Sequence, residues 1–173
     1  MQEIMQFYLI VELFKFSLFT LDIYKMEIVS INKSINLSEH FSLGEVTKSS
    51  HTEIYNIPSH VAIENLKRVC IWLEVLRGRM GPIIINSGYR SPELNKKVGG
   101  APTSNHLTGC AVDIHVAGIE QAMRYAVILM DYADETKQDY DELLIERNKG
   151  GGYWLHFAVR PKDNRRKTMF LQK

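Results

Sequence analysis

Between residues 60 and 80, apolar side chains recur at alternating steps of four and three: Ala62, Leu66, Val69, Leu73, Leu76 and Met80. That spacing lays one stripe along an amphipathic helix. Ser59 stands where an N-cap belongs, and Gly81-Pro82 stops the pattern. Upstream, Ser42 and Glu45 have the spacing of a capping box, which predicts a short helical element. Downstream the period changes. "IIINS" (83–87) reads as a short buried strand, and "CAVDIHV" (110–116) alternates as a strand does. The stretch between them carries Gly88, Pro92, Gly99, Gly100 and Pro102, which predicts a loop with a turn of helix at 92–97. Helical spacing returns over 118–131 through Ile119, Met123, Ala126, Val127 and Met130. "ELLIE" (142–146) and "YWLHFAV" (153–159) are two further strands, joined by the glycine-rich hairpin "RNKGGG". "KDNRRK" (162–167) reads as a solvated basic tail. The expected fold is α+β, a small antiparallel sheet with helices packed on one face.

Composition narrows the class. The chain has 173 residues, 45% of them hydrophobic and 24% charged, which suits one domain with a real core. A net charge of +1 gives no basic excess to attract nucleic acid. Two cysteines, Cys70 and Cys110, are too few for a disulfide framework and sit among apolar neighbours, so buried free thiols are expected. The apolar run at 7–24 is interrupted by Glu12, Lys15 and Asp22, so no uncharged stretch approaches the roughly 20 residues of a membrane span. It also lacks the basic start and small-residue cleavage site of a signal peptide. Residues 1–35 are therefore set apart as an N-terminal extension, loosely attached or preceding a true start near Met26. Residues 36–173 form the domain. No internal repeat is visible.

The chemistry concentrates in "SNHLTGCAVDIHV" (104–116). His106 precedes a glycine turn and Asp113 follows seven residues later inside a strand, so the loop can fold back and bring them together. His156, in "YWLHFAV", is a third candidate. Two histidines and a carboxylate with a fourth position open are a common catalytic zinc set. Each histidine alone would more often be an ordinary core or surface residue than a ligand.

"SNHLTGCAVD" matches the pattern S-x-H-x-x-G-x-A-x-D, and "WLH" in a late strand matches W-x-H. With these motifs the chain resembles the zinc D-Ala-D-Ala carboxypeptidase family, which shares its fold with the hedgehog signalling domain. "FSLGEVTKSS", "GPIIINSGYRSPELNKKVGG" and "DELLIE" extend the likeness to the D,D-peptidase subgroup common in phage and bacterial genomes, over roughly residues 37–160. The resemblance implies that His106, Asp113 and His156 bind Zn²⁺. It implies that Arg90 holds a substrate carboxylate or carbonyl, for which a planar guanidinium is suited. Ser104 would bond the substrate, unless it only caps its loop.

One position departs from the pattern. Some relatives carry an acidic residue three positions before the last histidine, and here that residue is Tyr153. Glu146, at the end of "DELLIE", is the expected general base, with Glu142 and Asp141 as weaker candidates. Strand alternation puts Glu142, Leu144 and Glu146 on one side. Trp154 would face the same way as His156, as cleft wall or core. His115 shares the Asp113 face, as a supporting contact, a competing ligand or neither.

The implied reaction is zinc-dependent hydrolysis of a peptide bond in peptidoglycan peptides, as a D,D-carboxypeptidase or an endopeptidase. The alternative is a catalytically inactive, zinc-stabilised peptidoglycan-binding module. A monomer is expected. The substrate would lie outside the cytoplasm, and without a convincing signal peptide a phage- or prophage-encoded, endolysin-like role is the expectation.

Overall fold

The computed structural model describes residues 34–173. Nearly all of the expected N-terminal extension therefore lies outside the described residues. Helix α1 (Leu43–Val46) starts at Ser42, whose side chain accepts from the Glu45 amide while Glu45 returns to the Ser42 amide. This is the capping box read from the sequence. Helix α2 (His60–Met80) is capped by Ser59 and ends at Gly81, which takes φ 79°. Its buried face contains the expected stripe from Ala62 to Leu76 and adds Asn65, Cys70 and Trp72, while Met80 at its end is only partly buried. Strand β1 (Ile85–Ser87), helix α3 (Pro92–Lys97), a 3₁₀ turn (Asn105–Thr108) and strand β2 (Ala111–His115) follow. Helix α4 (Ile119–Thr136), strands β3 (Glu142–Arg147) and β4 (Tyr153–Ala158) and strand β5 (Lys167–Gln172) complete the domain.

The five strands lie in the order β1-β2-β4-β3-β5. β1, β2, β4 and β3 pair antiparallel in succession, but β5 pairs parallel with β3. The sheet is thus mixed, which corrects the all-antiparallel expectation. The basic tail is corrected with it. Arg165 pairs with the buried Asp141, Arg166 pairs with Asp134, and Lys167 opens β5. The tail looked solvated because its partners lie on distant parts of the chain.

Directly opposed residues share a sheet face. Val112 and Ile114 of β2, Leu155 and Phe157 of β4, and Leu143 and Ile145 of β3 point to the face covered by α2 and α4, where they form the core with both helices. Trp72 sits at its centre, with its ring centroid 5.3 Å from Phe157 and 4.8 Å from Tyr132. Cys70 and Cys110 are buried free thiols, as expected, and burial pushes the Cys70 thiol up to about 12.

The α4 stripe differs from its expected one. Its buried positions are Ala122, Tyr125, Ala126, Leu129 and Ala133. Met123 and Val127 are 51% and 49% exposed. Helix α4 is apolar on two flanks, and the flank rich in alanine is the one that packs. Among the described residues no helix is long and apolar enough to cross a membrane.

Candidate metal centre

The other sheet face carries the polar chemistry. β4 is central, so His156 stands between Asp113 on β2 and Leu144 on β3, in direct register with both. His106 reaches the same place from the 3₁₀ turn. One ligand atom from each of His106, Asp113 and His156 can be chosen so that all lie within 4.8 Å of one another, and all three residues are buried. Asp113 Oδ1 is 3.3 Å from His106 Nε2 and 2.8 Å from His156 Nδ1. The triad suggested by the motif therefore converges.

Local rules explain how the loop delivers His106. Ser104 caps the turn by accepting the His106 amide at 3.3 Å. Gly109 ends it with φ 73°, and a Cβ there would stand 2.4 Å from the Ala62 carbonyl oxygen of α2. Only glycine meets both conditions without strain. Gly88 is constrained by space alone, since a Cβ would lie 2.2 Å from the Val46 carbonyl oxygen. That close approach lets the Gly88 carbonyl accept from His106 Nδ1 at 2.6 Å, while the Arg90 amide donates to the His106 carbonyl at 3.1 Å. The "SGYR" and "SNHLTG" segments are stitched together. With Nδ1 turned to the Gly88 carbonyl, Nε2 is the His106 nitrogen that faces Asp113.

Arg90 donates through Nε to Ser87 Oγ at 2.8 Å and pairs through its terminal nitrogen with Asp113 Oδ2. Arginine has five donors, so this side chain, which lines the cleft, holds the Asp113 carboxylate and retains N–H groups for another acceptor. The cleft measures about 840 Å³ and is also lined by Ser104, Asn105, Glu142, Leu144, Glu146, Trp154, Arg160, Arg165 and Lys173. Ser104 thus both caps its turn and borders the cleft. His115 is exposed and does not line it.

The three acids differ in their ties. Asp141 is fully buried, held by Arg165, Arg160 and Asn105, and does not line the cleft. Glu142 lies 3.6 Å from His156 Nε2. Glu146 is 3% exposed and accepts from Lys173 Nζ at 2.6 Å, with that ammonium 5.5 Å from the centroid of the Trp154 ring. As the alternation required, Glu142 and Glu146 share a face with Leu144. Asn105, Lys173 and the Gly88 carbonyl are contributions that the sequence reading missed. Asn105 and Gly88 lie inside the motifs already singled out. Lys173 gave no local signal, because it reaches Glu146 only through the parallel pairing of β5 with β3.

The electrostatics suit a cation. Burial opposes a charge on Asp113, but the two imidazoles outweigh it and hold the carboxyl well below its usual range. Burial likewise opposes a charge on His156, yet Asp113 and Glu142 lift the imidazole to about 9. The His156 contact draws Glu142 down to about 2. The carboxylates around His156 thus favour positive charge at this place, which a divalent ion would supply. Ligands about 2 Å from a tetrahedral zinc lie about 3.3 Å apart. The Asp113 contacts are 3.3 and 2.8 Å and all three donors lie within 4.8 Å of one another, so the donor set can close on an ion of this size.

Two imidazoles and one carboxylate in a cleft beside an arginine form a donor set that a catalytic metal ion can use, with a position left open for water or substrate. The family model described as peptidase M15 matches residues 39–138, and the chain belongs to that family. The match includes Arg90, Ser104, His106 and Asp113, whereas His156 lies beyond it and joins the group through the sheet. The family is zinc-dependent, which supports a metallopeptidase with a peptide substrate. No curated protein matches the chain.

Proposed function

We propose that the protein is a zinc peptidase that cleaves peptide bonds in peptidoglycan peptides, acting as a D,D-carboxypeptidase or endopeptidase. The observation that carries this reading is the convergence of His106, Asp113 and His156 in a cleft also lined by Arg90 and Glu146. His106, through Nε2, Asp113 and His156, through Nδ1, would hold the ion. A zinc ion there supplies a water of lowered pKa and polarises the scissile carbonyl. Arg90 keeps the Asp113 carboxylate in place and offers its remaining N–H groups to a carbonyl or carboxylate of the substrate. Glu146, on the same sheet face, takes the proton of the attacking water and returns it to the leaving amine. Its buried position and its ion pair with Lys173 keep the carboxylate in one place between these transfers. Trp154 and Ser104 line the cleft around the peptide. Phage or prophage origin would account for action on a cell wall.

The test is hydrolysis of purified muropeptides by the zinc-loaded protein and by Glu146→Gln. The expected result is cleavage by the wild type and a loss of at least about a hundredfold in the variant, with one zinc retained per chain. Zinc-loaded protein that leaves muropeptides intact while a known peptidase of this class cuts them would overturn the activity. Equal binding to peptidoglycan by both forms, without cleavage, would identify a binding module.

A further inference from the structure

We infer that Glu142 is a positioning residue that orients the His156 ring for metal, an inference that rests on the metal site of the proposed function. Each imidazole in the cleft has two nitrogens, and one of them must be engaged elsewhere if the other is to face an ion shared with Asp113. For His106 the Gly88 carbonyl decides this by accepting from Nδ1 at 2.6 Å. His156 has the opposite arrangement. Its Nδ1 lies 2.8 Å from Asp113 Oδ1, and its Nε2 faces Glu142 Oε2 at 3.6 Å, an ion-pair distance just beyond a hydrogen bond. The two rings thus present different nitrogens to one carboxylate oxygen, each with its second nitrogen toward a protein acceptor. A carboxylate behind a ligating imidazole fixes the ring and raises its basicity toward the metal.

The surroundings of Glu142 favour a fixed acceptor over a proton carrier. Asn105 Nδ2 donates to Oε2 at 3.2 Å, while Arg165 and Lys167 lie 3.0 and 3.4 Å from Oε1. These three groups come from the 3₁₀ turn, the segment after β4 and the start of β5, so Glu142 is anchored from three directions. Glu146, one full strand repeat beyond Leu144, is held by Lys173 alone among the described ion pairs. The two acids divide the work, with Glu142 aiming the ligand and Glu146 moving the proton.

The test compares Glu142→Ala and Glu142→Gln with wild type. Zinc affinity is measured by competition with a chelating dye, and the site geometry is read from the visible absorption of the Co²⁺ form. The alanine variant should bind zinc about 10- to 100-fold more weakly with an altered Co²⁺ spectrum. The glutamine variant, whose amide oxygen still accepts, should recover most of the affinity and the spectrum, and keep turnover within about tenfold. If the alanine variant does not fold, Glu142→Met, which preserves volume without an acceptor, takes its place. A folded alanine or methionine variant with wild-type affinity and spectrum would overturn the inference. So would a glutamine variant that keeps its zinc but loses turnover as severely as Glu146→Gln, since that marks a proton carrier. Wild-type protein that takes up no zinc would instead remove the metal site on which the inference rests.

Discussion

His106 reaches Asp113 because two glycines let backbone segments approach where a side chain would intervene. Gly109 is the more demanding, combining φ 73° with a carbonyl 2.4 Å from the site of a Cβ. Left-handed backbone at a non-glycine residue costs about 1–3 kcal/mol, and the contact with backbone adds to it. Gly109→Ala should lower unfolding stability by about 2 kcal/mol or more in urea titration. Zinc affinity should fall with it, because the turn that carries His106 must shift. A loss of a few tenths of a kcal/mol would mean that the turn and α2 part freely. These glycines were legible as turn signals. That they set the distance between a histidine and a carboxylate was not, because Ala62 and Val46 lie 47 and 42 residues before Gly109 and Gly88 respectively.

Helix α4 shows where periodicity misleads at the scale of an element. Ile119, Met123, Ala126, Val127 and Met130 form a plausible stripe, yet only Ala126 of these is fully buried; Met123 and Val127 are half exposed, while Ala122, Leu129 and Ala133 pack inward beside Ala126. Two apolar flanks compete on one helix, and the neighbouring surface chooses between them. Ala122→Leu should therefore destabilise by about 1–3 kcal/mol through overpacking, while Met123→Ser should stay within about 0.5 kcal/mol, as measured by denaturant unfolding. The reverse order would refute this packing. Strand β5 offers a second case, because the buried Asp141 anchors the chain that leads into it. Burial alone would raise the Asp141 carboxyl, but Arg165, Asn105 and Arg160 outweigh it and lower it. A carboxyl lowered by folding stabilises above its unfolded value, near about 3.9, and that contribution disappears as pH falls through the folded value. Wild-type stability should thus drop below about pH 4. Asp141→Asn should be less stable at neutral pH and show a shallower acid decline. An unchanged acid profile in the variant would show that other carboxylates drive it.

For the whole molecule, the sheet divides the labour. One face packs on α2 and α4 around Trp72, and the other carries the metal centre. The core does not pass through the centre, so the metal-free protein should remain folded, with native circular dichroism after chelation. Zinc should still raise the thermal midpoint, because a ligand that binds only the folded state adds about 4 kcal/mol at a thousandfold excess over Kd. Collapse on chelation would instead make the metal a condition of folding. An unshifted midpoint at saturating zinc would argue against a specific site.

The sequence by itself determined the elements with strong local signals: α1 with its capping box, α2 with its stripe, the 92–97 turn of helix, and strands β2, β3 and β4. It also marked His106 and Asp113, because a dense motif leaves a local trace, and His156 through the separate W-x-H likeness. Only the tertiary structure decided the parallel pairing of β5, the buried flank of α4, and the ties of Arg90 to Asp113, Glu142 to His156 and Lys173 to Glu146. The physical reason is the range of the interactions. Caps, turns and periodicity act within a few residues, whereas those ties join residues 23, 14 and 27 positions apart and form only after the sheet has set its register.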